Sequence, residues 1–318
     1  MAEHTLKGIG FKDVTLGDGG YLIELERRGY VDSGSERETV GTGKGSGQFT
    51  PEVTIEHPEA LRGLHEEFLL AGSDVLQALT FFATREKLGR AGYGDETEAI
   101  NYAAVRIARE VAGDQARVAG SVTRTQLFER EGATAAGKAH DLIAEQVRML
   151  QDAGVDLLIL ETFFRLDEML IALKCARESG LPIIATMSFR PTTTESSDGN
   201  SPAACAAAMA AEGAQMVGAN CEQDPERMLS ILREMRSVVD VPLAAQPAAF
   251  RTTDETPCFT KIPEFPDDLE TVQVSRSSFV DFAASAAEEG IGFLGGCCGC
   301  NASYIRAMHR GLQRSGSA

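Results

Sequence analysis

Three cysteines near the ends of predicted strands have the residue type and the setting of a metal site. Cys221 ends the apolar run "MVGANC" (216–221), and the adjacent Cys297 and Cys298 directly follow the run "GFLGG". Zinc accepts thiolates and prefers four tetrahedral ligands, so three thiolates would leave one position open for a substrate. Glycines on both sides of the adjacent pair allow the backbone to turn both sulfurs toward one ion.

Two acidic residues also stand where predicted strands end. Asp18 lies in "GDGG" (17–20), and Glu161 directly follows the apolar run "LLIL" (157–160). Burial of a carboxylate is costly without a partner, and a pair of carboxylates at one site would suit an ammonium group. Asp18 has a second interpretation, as the capping residue of a tight turn.

The remaining thiols and imidazoles do not extend this cluster. Cys175 and Cys205 lie in helical patterns, where a buried cysteine packs as a small hydrophobic residue. Cys258, in a predicted loop, and Cys300, just past the last predicted strand, are spare ligands at most. The histidines form no HxxH or HExxH pattern. An odd cysteine count without a signal peptide predicts reduced thiols and a cytoplasmic location.

Eight apolar runs predict the strands that would position these side chains. They are 13–18, 75–81, 116–122, 156–162, 182–189, 216–221, 242–247 and 292–298. Amphipathic segments that stop at a glycine separate the runs and predict helices, one of them continuous from Pro51 to about Gly72. Three segments rich in Gly, Ser, Pro or charge (31–49, 190–201 and 250–274) predict loops on one face.

This alternation predicts an α/β fold, a (β/α)8 TIM barrel, as a single domain over residues 1–318. The alternative is an open doubly wound sheet, although "GDGG" is too short for the phosphate loop typical of that fold. In a barrel, the cysteines and carboxylates named above would converge at the carboxyl ends of the strands.

The composition excludes several classes of partner. The formal net charge is −17 and the isoelectric point is about 4.8, so we expect no nucleic-acid partner. The same acidity disfavours anionic membranes, and no run approaches the length of a membrane span.

Five stretches resemble the homocysteine S-methyltransferase family, and most closely its betaine-dependent members, over about residues 13–311. They are "GDGG" (17–20) followed by "LERRGYV", "TPEVTIEHPEA" (50–60), "GANC" (218–221), "IPEFPDDLE" (262–270) and "GGCCG" (295–299). The resemblance implies zinc-dependent transfer of a methyl group from a small onium donor to the thiolate of homocysteine, giving methionine. The residues that match the family's zinc ligands, which are also its catalytic centre, are Cys221, Cys297 and Cys298. Those that match its homocysteine-binding positions are Asp18, Gly19, Gly20 and Glu161.

The donor-binding positions depart from the family pattern. Phe49 matches a tryptophan of the aromatic cage, and Phe82 and Thr162 match two tyrosines, while this chain contains no Trp. The phenylalanines keep faces for a cation–π contact but lack polar groups. The resemblance therefore implies either a betaine-type donor or a sulfonium such as S-methylmethionine or dimethylsulfoniopropionate.

Two alternatives to this function remain open at the level of sequence. One is methyl transfer to another thiol or a selenol, and the other is a non-catalytic module that senses zinc or thiol redox state. The mammalian-type betaine enzymes continue through a C-terminal arm used for oligomerisation, so we expect a monomer or a simple homodimer here.

Overall fold

Eight parallel strands form the centre of the described structure. This computed structural model describes residues 14–31, 51–190, 194–251, 259, 262–265 and 268–316. The strands are β1 (Thr15–Leu16), β2 (Val75–Ala78), β3 (Arg117–Thr123), β4 (Leu157–Phe163), β5 (Ile183–Met187), β6 (Met216–Asn220), β7 (Leu243–Gln246) and β8 (Ile291–Leu294). Each lies within one residue of a predicted run, so all eight predicted strands are confirmed, most of them shorter than predicted.

Helices alternate with these strands along the chain. They are α1 (Leu22–Arg27), α2 (Val53–Glu56), α3 (Pro58–Ala71), α4 (Arg85–Arg90), α5 (Thr97–Ala112), α6 (Leu127–Glu131), α7 (Ala136–Asp152), α8 (Leu166–Glu178), α9 (Pro202–Ala211), α10 (Pro225–Arg236), α11 (Arg276–Glu288) and α12 (Ala302–Ser315). Short 3₁₀ helices cover Gly94–Glu96, Gly132–Ala135 and Leu269–Val272. Among the described helices, none has both the length and the apolar character needed to cross a bilayer.

The strand order closes the sheet almost completely. Neighbouring strands pair in the order β1-β8-β7-β6-β5-β4-β3-β2, and all pairs are parallel. The first and last strands pair directly, with Leu16 opposite Leu294. Between β1 and β2, the Asp74 N–H donates to the Leu16 carbonyl at 2.6 Å. This is the predicted (β/α)8 TIM barrel, and the open doubly wound alternative is wrong because its first and last strands would not pair.

Side-chain alternation along the strands separates two apolar layers. In β4, Leu158 and Leu160 belong to the large cluster between sheet and helices, while Leu157 and Ile159 pack inside the barrel. The interior cluster consists of Val75, Ala119, Leu157, Ile159, Ile184, Met216, Ala244 and Phe293. Glu161 continues the interior row of β4, so the alternation itself turns its carboxylate toward the carboxyl end of the barrel.

The helix predicted from Pro51 to about Gly72 is wrong in one respect, because it is split into α2 and α3. Pro58 has no N–H to continue a helix and disfavours helical geometry in the preceding residue, and His57 has φ −138° and ψ 58°. The second helix starts at Pro58 and ends where predicted, at Gly72, whose φ of +110° suits glycine.

Candidate functional site

The three predicted ligand cysteines lie together at the carboxyl ends of β6 and β8. The Sγ atoms of Cys221 and Cys298 are 3.6 Å apart, and those of Cys297 and Cys298 are 3.9 Å apart. All three sulfurs lie within 4.8 Å of one another. Cys221 and Cys297 are 76 positions apart in sequence, yet the two strand ends bring three soft ligands to one point, a set that can hold a metal ion.

The three thiols cannot all ionise without a cation. Hydrogen bonds from the other two thiols lower the pKa of Cys297 to about 6. Hydrogen bonds with Cys297 raise the pKa values of Cys221 and Cys298, and burial beside another thiolate adds to the rise. The cluster therefore stabilises one thiolate alone and needs a positive charge to hold three.

Close packing fixes the loop that carries Cys297 and Cys298. A Cβ atom on Gly296 would lie 2.4 Å from the Cβ of Cys300, and one on Gly20 would lie 2.6 Å from the Cys297 carbonyl oxygen. The Cys297 N–H donates to the Pro247 carbonyl at 2.9 Å. Gly296 is thus required for close approach rather than for the backbone freedom suggested by the sequence.

Glu161 is a buried carboxylate beside the thiols. Its Oε1 accepts hydrogen bonds from the Ser121 hydroxyl and, at 3.4 Å, from Gln77 Nε2. Burial raises the pKa of Glu161 to about 8, and the negative charges of Asp18 and Cys221 add to that rise. A bound cation would reverse these effects, so the carboxylate is suited to an ammonium group.

Asp18 is the second buried carboxylate, and a hydrogen-bond chain orients it. Its Oδ2 accepts from the Tyr21 hydroxyl at 2.5 Å and from the Gln77 N–H at 2.6 Å. The Tyr21 oxygen also lies 3.0 Å from Nδ1 of His65, and burial lowers the pKa of this histidine to about 3. His65 is therefore neutral and can donate to Tyr21. Burial raises the pKa of Asp18 to about 7.

One cavity of about 240 Å³ joins most of the predicted site residues. Those that line it are Gly19, Gly20, Glu161, Thr162, Cys221, Cys297 and Cys298. Asp18 lies just outside the lining, and only 1% of its surface is exposed. The Gly20 N–H is already bonded to the Cys300 carbonyl, so of the two predicted glycine amides only that of Gly19 makes no backbone hydrogen bond within the described residues.

The predicted donor-binding residues are distributed differently. Phe82 is 2% exposed and does not line the cavity, whereas its neighbour Phe81 does. The ring of Phe82 instead lies 4.8 Å from the Lys87 ammonium. Thr162 lines the cavity, and Asn220 holds its N–H and hydroxyl at 2.8 and 2.7 Å. Phe49 lies outside the described residues.

Backbone strain concentrates around the same cavity. Among the described residues, six non-glycine residues have positive φ, and four of them line the cavity: Gln126 (62°), Thr162 (57°), Cys221 (59°) and Glu222 (54°). At Thr162 the strain coincides with a register shift between β4 and β5. Such strain persists only where surrounding contacts enforce it and is typical of functional sites.

Sequence reasoning missed the polar residues whose hydrogen bonds hold the carboxylates and the surrounding cavity wall. They are Tyr21, His65, Gln77, Ser121, Asn220 and Gln246. A signal was present, since Gln77, Ser121 and Asn220 each interrupt an apolar strand run close to its carboxyl end. Tyr21 and His65 gave no comparable signal, because each falls in an ordinary helical pattern.

A sequence profile of the homocysteine S-methyltransferase family matches residues 15–312. Betaine–homocysteine S-methyltransferase 1 from Mus musculus is 35% identical to this chain, and the match covers 95% of the chain and 73% of that protein. The S-methylmethionine–homocysteine S-methyltransferase of Pongo abelii is also 35% identical, over 93% of the chain and 77% of that protein.

A solved structure shares the fold. The homocysteine methyltransferase MmuM from Escherichia coli, in its metallated form, superposes with a TM-score of 0.72 at 20% identity. The superposition covers 96% of this chain and 98% of that one. The barrel is therefore common to both proteins.

Proposed function

The chain belongs to the homocysteine S-methyltransferase family, and from this premise we propose that it uses zinc to transfer a methyl group from a small onium donor to homocysteine. In this proposal Cys221, Cys297 and Cys298 hold the zinc ion. The product is methionine, and the demethylated amine or sulfide leaves.

The observation that carries the proposal is the spacing of the three sulfurs. In a tetrahedral site with Zn–S bonds of about 2.3 Å, sulfur atoms stand about 3.8 Å apart. Two of the three separations, 3.6 and 3.9 Å, are close to that value, and the third is within 4.8 Å. All three cysteines line the cavity, which supports an open fourth position that faces the substrate space.

Zinc held by these thiolates would supply Lewis acidity that lowers the pKa of a substrate thiol, which is otherwise mostly protonated and poorly nucleophilic at neutral pH. Three cysteine thiolates leave the site with a net negative charge, which keeps electron density on sulfur. The chain's own contribution is to collect and orient these ligands.

The buried carboxylates select an amino-acid acceptor in this proposal. Glu161 faces the cavity, and Asp18 adds a second negative charge, so together they bind the ammonium group of homocysteine. The Gly19 N–H, which makes no backbone hydrogen bond within the described residues, can donate to the carboxylate of the same molecule. Binding both ends of the acceptor orients its sulfur toward the thiols.

The reaction balances with an onium donor. The new S–CH3 bond forms as the C–N or C–S bond of the onium breaks, and that bond's electron pair leaves with a neutral amine or sulfide. The thiol proton of homocysteine passes to solvent. Opposite charges cancel in the transition state, so an enclosed cavity with apolar walls accelerates the step.

Aromatic walls support a cationic donor. Phe81, Phe164 and Phe259 line the cavity and offer ring faces or edges to an onium group. The relatives named above use betaine and S-methylmethionine, and we propose a donor of the same chemical kind, either a betaine or a sulfonium. We also propose that residues 1–318 form a single domain.

A donor screen tests this function. Zinc-loaded protein is incubated with homocysteine and a panel of betaines and sulfoniums, and methionine is measured. We expect methionine from at least one onium donor, with none from a Cys298→Ala variant. Absence of methionine with every donor would refute the function, and methylation of other thiols but not homocysteine would favour the alternative acceptor.

A further inference from the structure

Arg124 places a positive charge on the wall of the proposed donor space. It follows β3 directly and lines the cavity beside Thr162 and Phe164. Its side chain is only 14% exposed. A cation is unexpected in a cavity proposed for a cationic donor, because it repels an onium ion unless the donor also carries an anionic group.

Contacts with three neighbouring residues fix the guanidinium group of Arg124 but leave some of its N–H donors unbonded within the described residues. Nη1 donates to the Thr162 carbonyl at 3.1 Å, and Nε lies 3.3 Å from Oε1 of Glu129. The central carbon Cζ lies 4.5 Å from the ring centre of Phe164. Within the described residues Nη2 makes no hydrogen bond, so of the five N–H donors of an arginine some remain for a ligand.

The backbone on either side of Arg124 is also fixed. Oε1 of the fully buried Glu168 accepts hydrogen bonds from the Thr125 N–H at 2.8 Å and from the Thr125 hydroxyl at 2.6 Å. On the other side, Thr123 is the last residue of β3. The arginine therefore extends from a constrained position, which reduces the entropy lost when it binds an anion.

The position of Arg124 separates it from the acceptor subsite. Ser121, which donates to Glu161, lies three residues earlier and still within β3. Arg124 lies beyond the strand end and contacts Phe164 instead, another residue past the end of its strand. Arg124 thus lines the cavity from beyond the strand end, and none of its hydrogen bonds or ion pairs within the described residues involves Asp18 or Glu161.

We propose that Arg124 forms an anion subsite for the carboxylate of the methyl donor, so that the chain selects zwitterionic onium carboxylates over onium ions without an anionic group. This inference rests on the proposed function, and it adds the residue that selects the anionic end of the donor. The planar guanidinium matches a carboxylate geometrically, and the aromatic walls remain available for the onium end of the same molecule.

The test compares two sulfonium ions that differ in the carboxylate, dimethylsulfoniopropionate and trimethylsulfonium. Their binding to zinc-loaded protein is measured by calorimetry, with and without methionine to occupy the acceptor subsite, and the binding of homocysteine is measured in the same way. We compare the wild type with Arg124→Gln, Arg124→Lys and a control, Arg165→Gln. Arg165 is an arginine just past the end of β4 that pairs with Asp167 and does not line the cavity.

We expect Arg124→Gln to raise the Kd of dimethylsulfoniopropionate by at least about 10-fold, the loss typical of a hydrogen bond to a charged group. The Kd of trimethylsulfonium should stay the same or fall, because a repulsive charge is removed. Arg124→Lys should recover part of the loss, and Arg165→Gln should change neither Kd.

Three results would overturn the inference: equal losses for both sulfoniums, no binding of the carboxylate donor to the wild type, or a loss confined to homocysteine affinity. The last result would assign Arg124 to the acceptor. Methionine formation is measured in parallel, because selective, Arg124-dependent binding without any turnover would refute the methyltransferase function and leave the anion subsite standing.

Discussion

The substitution Glu161→Gln tests whether the buried carboxylate binds the ammonium group of homocysteine. Glutamine keeps the shape of the side chain and an oxygen that accepts from Ser121 and Gln77, so the change removes only the charge. Two unit charges about 4 Å apart attract by about 4 kcal/mol at an effective dielectric constant of about 20. Removal of this attraction sets the upper limit of the effect.

The loss of binding free energy is smaller than this upper limit, because Glu161 must lose a proton before it can attract the ammonium group. Since burial raises the pKa of Glu161 to about 8, the free enzyme holds this carboxyl mostly protonated at pH 7. Deprotonation of the group at pH 7 therefore costs on the order of 1 kcal/mol. The net loss is therefore about 2–3 kcal/mol, which corresponds to a Kd for homocysteine about 30- to 150-fold higher.

The assay is calorimetric titration of zinc-loaded protein with homocysteine at several pH values. Wild-type affinity should rise with pH as the carboxyl loses its proton, because burial raises the pKa of Glu161, and the variant should lack that part of the rise. Zinc content should not change. Glu24→Gln serves as the control, since Glu24 is a mostly buried carboxylate on α1 that pairs with Arg27 away from the cavity. An unchanged Kd in Glu161→Gln, or an equal loss in Glu24→Gln, would refute the reasoning.

Three further predictions follow from the same contacts. Tyr21→Phe removes the hydroxyl between Asp18 and His65, so homocysteine should bind about 10-fold more weakly with zinc content unchanged. Full affinity in the variant would show that the hydrogen bond from Tyr21 does not position Asp18. Gly296→Ala should lower the unfolding free energy by about 1–3 kcal/mol through overpacking against the Cβ atom of Cys300. Because alanine keeps that Cβ atom, adding Cys300→Ala should not restore the lost stability, and a rescue would contradict the prediction. The pKa of Asp18 is about 7 in the folded protein against an ordinary value of 3.8, so the zinc-free protein should lose stability as the pH rises from about 4 to 7. Urea titrations should find a smaller loss of unfolding free energy in Asp18→Asn, and an equal loss in both proteins would contradict this prediction.

The barrel was accessible from the sequence because its strands are buried on both faces. Runs such as "LLIL" (157–160) are apolar throughout, stop at a polar residue and alternate with helices, and this pattern fits few other folds. The ends of the strands were harder to predict, because the apolar run continues past the last hydrogen bond between neighbouring strands. The break between the two helices at Pro58 was not predicted. The sequence does not distinguish a proline that starts a helix from one inside a helix unless the backbone conformation of the preceding residue is known.

The thiol cluster was predictable because strand ends in a barrel converge on one mouth. Cys221, Cys297 and Cys298 needed only that topology to meet. The support for the carboxylates was not predictable, because the contact of Tyr21 with Asp18 and His65 depends on how α1 and α3 pack together. The residues of the donor wall were harder to predict for a related reason: Phe81 lines the cavity and the adjacent Phe82 does not, and the φ of +58° at Phe82 could not be foreseen from the sequence.

The central claim is that three cysteines hold one zinc ion whose open position takes the sulfur of homocysteine. X-ray absorption spectroscopy of the zinc-loaded protein counts the sulfur ligands directly. We predict one zinc ion per chain with three protein sulfurs at about 2.3 Å, rising to four sulfurs when homocysteine is added. A protein that binds no zinc, or a sulfur count that does not change with homocysteine, would contradict the claim.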